Sequence, residues 1–364
     1  MPDFLKDLAD APRILIEVRL KPVAGTRIQP TGFPDLGAAV YDAPSDNGST
    51  VATLLVESAQ SMANRLEAVC WDEASDDIAP ELKGLPFVRV NLEGPLAEGE
   101  NTTNSLLEFH RLNSPYIMSG ITDDGKAFAD VLRPELGLST AAKSGPANGD
   151  DEGDDKERED VAGVVNLRKL ASACFKYDPN SLVHGVFLEK IAGRLRHPRA
   201  LSGFIEATGV DRADSGGVKF DRVLPKPKVA GVDAKGGYGN VPFHRTEFTA
   251  RAITAYFSID LAQIRGYGLS PDATNLLIAL SLWKVRRFLD SNMRLRSACE
   301  LELADESSIT FKRPKAVTLP PVQELAERVG DLIKKCKSQF AQPPVTTLTW
   351  NGGKPAKEKK AKSK

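Results

Sequence analysis

VATLLVESAQSMANRLEAVCWDE, residues 51–73, sets a strand directly against a helix. Val51, Leu54, Leu55 and Val56 form a short apolar run of the kind a strand makes when both its faces are covered. Ser58 suits a helix N-cap. From there Ala59, Met62, Ala63, Leu66, Val69 and Cys70 recur at helical spacing, while Gln60, Ser61, Asn64, Arg65 and Glu67 fall elsewhere on the wheel. One side packs and the other faces out. The first turn of such a helix presents unpaired backbone N–H groups and a positive dipole end, so hydroxyl and amide side chains there make a seat for phosphate. An ordinary amphipathic helix with a solvated face has the same spacing, and the pattern alone does not separate the two.

Working outward, residues 13–20 (RILIEVRL) alternate and put Ile14, Ile16, Val18 and Leu20 on one face of a first strand. The loop 21–35 is basic and broken by Gly25, Pro30, Gly32 and Pro34. Residues 74–160 read as an insertion, with short apolar segments at 87–90 and 116–118 and an acidic end, GDDEGDDKERED, of disordered composition. A second amphipathic helix is expected over 164–175 and strands over 182–188 and 201–207. A Gly-, Pro-, Lys- and Arg-rich stretch at 209–245 is too polar to pack and too long for a simple connection. A strand at 246–259, a helix at 272–290, a strand at 292–303 and a helix at 319–340 follow, before the basic tail KPAKEKKAKSK.

The core order is strand, helix, strand, strand, helix, strand. That is an α+β, RRM-like or ferredoxin-like arrangement. It assigns 1–73, 161–208 and 246–303 to the core, 74–160 and 209–245 to insertions, 304–345 to a C-terminal helical segment and 346–364 to a disordered basic tail.

The 364 residues are 41% apolar and 27% charged, ordinary for a globular protein. No apolar run is long enough to span a bilayer and the N-terminus lacks a signal-peptide pattern, so the expectation is a cytoplasmic protein away from membranes. The four cysteines form no CxxC pair and read as reduced structural thiols. Net charge is −1, which by itself argues against nucleic acid. The total conceals a segregation: acidic side chains outnumber basic ones about two to one over residues 1–160, and the balance reverses over 161–364. A basic face can therefore exist on a neutral particle.

The string Ser58-Ala59-Gln60-Ser61-Met62-Ala63-Asn64-Arg65 resembles the Ser-Ser-Gln-Ser-x-Lys-Arg signature on the first helix of CRISPR effector backbone subunits, the Cas-seven family of the RAMP superfamily. With RIQPTGFPDLGAAVY (27–41), NSLLEFHRLNSPYI (104–117), HGVFLEK (184–190) and RHPRALSGFIEATG (196–209), the resemblance extends to the type I-G, formerly I-U, subgroup and spans roughly residues 13–300. The chain departs from the broader signature at Ala63-Asn64, where other members carry Lys-Arg, which leaves Arg65 as the motif's single cation. The resemblance implies a hand: an RRM-like palm, fingers at about 74–160 and a thumb at about 209–245. It also implies a non-catalytic subunit that polymerises with copies of itself along guide RNA (crRNA) in a Cascade complex. The guide then exposes its spacer to target DNA in antiviral defence. Further partners implied are the large subunit and a fused guide-end-binding and processing subunit, with no cofactor.

The residue types fit that role. A base-reading RRM carries RNP-type aromatics, and the sequence has no such string. A guide of arbitrary sequence has to be held by phosphate and ribose. Candidate grips are Lys21, Arg27 and Gln29 on the first loop, Ser58, Gln60, Ser61, Asn64 and Arg65 on the helix, and Arg194, Arg196 and Arg199 before the third core strand. Lys226, Lys228, Lys235, Tyr238 and His244 would wedge the strand from the thumb. Each cation is equally readable as a solvated charge. KGGYGN (235–240) lacks the strand-to-helix setting of a phosphate loop. His110, His184, His197 and His244 lack metal-ligand spacing. The alternative is a RAMP-type endoribonuclease, using Asp35 for metal-dependent target cleavage or His110 or His244 as general acid or base in guide processing.

Overall fold

The fold is a computed structural model in which residues 4–352 are described, except 34, 36, 46–47, 95–100, 139–165, 190, 192–194, 227, 229–230, 232, 306 and 316. Arg13–Pro22 is an inner strand of the main sheet: Ile14, Ile16, Val18 and Leu20 are buried, as their alternation predicts. It pairs antiparallel with Val241–Asp260 from Arg13↔Asp260 to Leu20↔Ile253. On its other edge it pairs with Cys299–Leu303 and Ile309–Arg313, both antiparallel. Across the sheet the strands run Arg294–Arg296, Cys299–Leu303, Arg13–Pro22, Val241–Asp260, Leu201–Lys219, Thr50–Glu57 and Val40–Pro44.

Two helices cover one face of this sheet. Ala59–Ala68 buries Met62, Ala63 and Leu66, and Pro271–Leu289 is buried along most of its length, Trp283 included. The latter starts where Ser270 Oγ accepts from Ala273 N, with Pro271 at a position that needs no N–H. Ile205, Ala207, Ile253, Ala255, Phe257 and Ile259 supply the sheet side of the core. From Leu276 to Val285 every residue of this helix is buried, Ser281 and Lys284 included, so this stretch sits in the interior.

Several local expectations are corrected. Thr50–Glu57 is not covered on both faces: Leu54 and Val56 are buried, but Val51 and Leu55 are only half-buried. Residues 182–188 are not one strand. Pro179–His184 is a helix, capped where Asp178 accepts from Asn180 N and stopped by Gly185 at φ +85°, and only Val186–Leu188 is extended, paired with Leu195–His197. The helix expected at 164–175 is Leu167–Tyr177. The insertion carries Phe87–Leu92, which pairs antiparallel with Asn101–Asn104 and parallel with Val345–Trp350. The tail expected from 346 therefore begins as a strand, in keeping with the β-branched and aromatic residues of VTTLTW. The acidic end of the insertion and residues 353–364 lie outside the described residues.

The largest difference concerns 209–245. Leu201–Lys219 and Val241–Asp260 stay in register out to Lys219↔Val241, so most of the expected loop is a two-stranded ribbon. Burial alternates up to Val210 and then gives way to exposure: Leu201–Lys219 has left Thr50–Glu57 by then, Arg27–Ile28 still pairs opposite Asp211 and Arg212, and beyond Arg212 the two strands pair only with each other. At about 3.3 Å per residue the nine pairs past Val210 carry the ribbon on the order of 30 Å beyond that residue. Strands exposed on both faces need no apolar alternation, which is why the pattern is weak there. Gly209 marks the root: it has φ +62°, and a Cβ on it would sit 2.9 Å from the Cβ of Arg251. Gly209→Ala is expected to cost about 1–3 kcal/mol from left-handed strain plus that contact, read as a lower urea midpoint with an unchanged m-value.

Candidate nucleic-acid interface

The Ala59–Ala68 helix starts as the sequence predicts: Ser58, at φ −74° and ψ 160°, accepts from Ser61 N through its hydroxyl at 3.2 Å. Gln60 donates to Asn64 Oδ1 at 3.3 Å on the exposed side. Arg199 reaches this turn from the segment ahead of Leu201–Lys219. It donates to Ala59 O at 3.0 Å, to Gln60 Oε1 at 2.8 Å and, more weakly, to His184 O at 3.4 Å. No carboxylate of the described residues lies within ion-pair distance of it. Burial lowers its pKa, with Arg111 adding to that and Glu67 opposing it. An unpaired guanidinium against the positive end of a helix is an arrangement that an anion completes.

Arg65 is placed differently from expectation. It is not an open cation: its Nε donates to Glu57 Oε1, and its Nη2 donates to Leu295 O. Glu57 is fully buried and also accepts from the Ser61 hydroxyl and from Arg296. Arg296 further donates to Val56 O at 3.0 Å and Gln29 O at 3.2 Å, which ties the first loop to the helix. Neither Glu57 nor Arg296 was identified from the sequence. The signal available was the alternation of Arg294 and Arg296 in a short strand facing the helix motif.

Other candidates are partly neutralised. Lys21 pairs with Glu302 and Arg27 with Glu247, each at 3.3 Å, and Arg196 lies over the Phe187 ring. Arg194 lies outside the described residues. Gln29 lines an open groove of about 600 Å³ at the ribbon root, with Val210 and Phe248 as its floor and Arg212 and Thr246 beside them. The ribbon candidates form a second, remote group. Lys226, Lys228, Lys235 and Tyr238 are exposed at its far end, beside exposed Phe220 and Val223. Asp221 organises that end by accepting from Val223 N, Leu224 N and Gly239 N, so KGGYGN belongs to a turn. His244 is exposed and lies 3.5 Å from Asp214. The structure thus gathers Gln29, Ser58, Gln60, Ser61, Asn64, Arg65 and Arg199 at one place, and does not bring the ribbon residues to it.

Of the residues considered for catalysis, Asp35 is exposed in a turn and His110 is exposed against the Phe109 ring. Among the described residues no group of His, Cys, Asp and Glu could hold a metal ion. All four cysteines are buried and free.

Beneath the interface lies a buried polar network. Glu67, expected on the solvated side of the helix, takes a two-pronged pair from Arg111 at 2.6 and 2.7 Å and accepts from Asn180 at 3.0 Å. Lys284 donates to Asn180 Oδ1 and lies 3.0 Å from His184 Nε2. Burial, reinforced by Lys284 and Arg111, holds the His184 pKa well below its ordinary value. Burial also raises the Asp178 carboxyl to about 7, against the opposing bond from Ser181. A carboxyl whose folded pKa is raised costs stability once the unfolded chain ionises, so the penalty grows as pH rises from about 4 to about 7. Asp178→Asn is therefore expected to gain on the parent protein across that window. Urea unfolding at a series of pH values, compared between the two, checks the sign.

A model of the family described as CRISPR-associated protein GSU0053 matches residues 14–212, more than half of the chain. The chain belongs to that family. No curated protein matches it. Among solved structures it is similar to a chain of a CRISPR RNA-guided surveillance complex in a pre-nicking state. That match has 14% identity and a TM-score of 0.39, covering 90% of this chain and 89% of the other. It is also similar to Csc2 of Thermofilum pendens, at 9% identity and a TM-score of 0.30, covering 93% and 79%. The family match spans the helix motif, Arg111 and Arg199, and ends just past the ribbon root.

Proposed function

We propose that this family member is a non-catalytic, guide-RNA-binding backbone subunit of a type I-G CRISPR Cascade complex. The observation that carries the reading is Arg199: a half-buried guanidinium without a carboxylate partner among the described residues, set on the first turn of the Ala59–Ala68 helix next to Ser58 and Gln60. Such a site takes a phosphate and ignores the base attached to it. That is the selectivity a carrier of arbitrary spacers requires.

The rest of the hand follows from the same reading. The strand order Cys299–Leu303, Arg13–Pro22, Val241–Asp260 and Leu201–Lys219, with two helices on one face, supports an RRM-like palm. The insertion after residue 73 serves as fingers and the ribbon as the thumb. A thumb on the order of 30 Å long reaches a neighbouring copy, so head-to-tail contacts repeat along the guide as a helical filament. Its Lys226, Lys228, Lys235 and Tyr238 press on RNA held by that neighbour. The large subunit, the guide-end-binding and processing subunit, and target DNA paired to the guide are the remaining partners. No helix among the described residues is long and apolar enough to cross a membrane, and the cytoplasm is the proposed location.

Arg199→Gln is expected to weaken binding of single-stranded RNA roughly tenfold, equally for different spacer sequences. The slope of log affinity against log salt should become shallower by about 0.7, the value of one phosphate contact. Filter binding over a salt series with several spacers measures both. A loss confined to some spacers contradicts backbone-only recognition. Co-expression with and without a CRISPR array separates the alternative: guide-length RNA on large particles supports the backbone role, whereas a monomer leaving RNA cut at the repeat supports an endoribonuclease.

A further inference from the structure

Glu57 is fully buried at the end of the Thr50–Glu57 strand, and its acceptors are taken. One oxygen receives the Ser61 hydroxyl and Arg65 Nε, and the other receives Arg296. Two guanidiniums against one carboxylate leave one positive charge in excess. Both arginines are about three-quarters withdrawn from water, with side-chain exposures of 26% and 23%. Three carbonyls, Leu295 O, Val56 O and Gln29 O, fix their directions. Arg65 Nη1 has no partner among the described residues, and Arg296 Nη2 makes one bond, to Glu57. The pair comes from two elements far apart in sequence, the helix motif and the Arg294–Arg296 strand.

A guanidinium pair oriented by a buried counter-ion costs little further ordering when an oxyanion with several acceptors arrives. We infer that Arg296 and Arg65 form a two-arginine fork that grips one phosphodiester of single-stranded RNA, with Glu57 as the positioning carboxylate that holds the fork open. The inference rests on the RNA-binding reading above and adds to it a second guanidinium and an orienting acid. It gives Arg65 both roles at once, since a residue bonded through Nε and Nη2 still has Nη1 to offer. Arg199, which lies ahead of Leu201–Lys219 and donates to the first turn of the helix, takes a neighbouring phosphate.

The test is salt-dependent binding of a fixed-length, mixed-sequence RNA oligonucleotide to the full chain, with thermal unfolding as the check on folding. Arg296→Gln removes the excess charge and one arm. It is expected to lose about tenfold in affinity and to make the salt slope shallower by about 0.7. Glu57→Gln with Arg296→Gln restores the net charge and leaves no buried carboxylate to satisfy, so it also covers the case in which the single variant does not fold. Its expected result is a recovered slope with the tenfold loss retained, because charge returns and the fork does not. Wild-type affinity in the double variant, or an unchanged slope and affinity in a folded single variant, overturns the fork. If the parent chain itself binds no single-stranded RNA, the proposed function fails first, and that outcome is distinct from both.

Discussion

The bidentate pair between Glu67 and Arg111 constrains more of this molecule than any other contact. Each partner is almost fully buried, and a charge in that position is tolerated only when it is matched and hydrogen-bonded. The matching recruits the Ala59–Ala68 helix, the Arg111–Asn113 turn, the Pro179–His184 helix through Asn180, and the Pro271–Leu289 helix through Lys284. Arg111 even adopts φ +53° to take its place, and donates to Gly185 O as well. Four segments are thereby set in one mutual arrangement. An apolar core of similar volume would allow them to slide, and the network does not.

What the sequence disclosed follows from this. Segments with one wet and one dry face wrote their period plainly, so RILIEVRL, the helix at 59–68 and the C-terminal helix Val322–Cys336 were all legible. Segments with two wet faces carry no such period, and the ribbon has the composition of a loop. Pro179–His184 has apolar residues that resemble a strand run. Its Asp-Pro start was a helix signal of equal strength. The Val345–Trp350 strand was lost beside a tail of charged residues, although VTTLTW has strand composition.

At the site, the sequence told which residue types were present but not which cations were already answered. Lys21, Arg27 and Arg65 look alike as letters, yet each has a carboxylate partner, and Arg199 has none among the described residues. Two of those partners, Glu302 and Glu247, lie far along the chain from Lys21 and Arg27, where no local pattern reports them. Glu57 is the last residue of the Thr50–Glu57 strand, eight positions before Arg65. Its meaning depended on Arg296, more than two hundred residues away.

Leu201–Lys219 parts from the Thr50–Glu57 strand at a left-handed glycine, and that makes the ribbon a lever with its root near residue 209. An arm on the order of 30 Å converts a rotation of about 10° at the root into a displacement of roughly 5 Å at the tip. Backbone geometry at one residue is thus magnified to nearly the spacing between successive nucleotides of an extended strand. The groove lined by Val210 and Phe248 sits at that root.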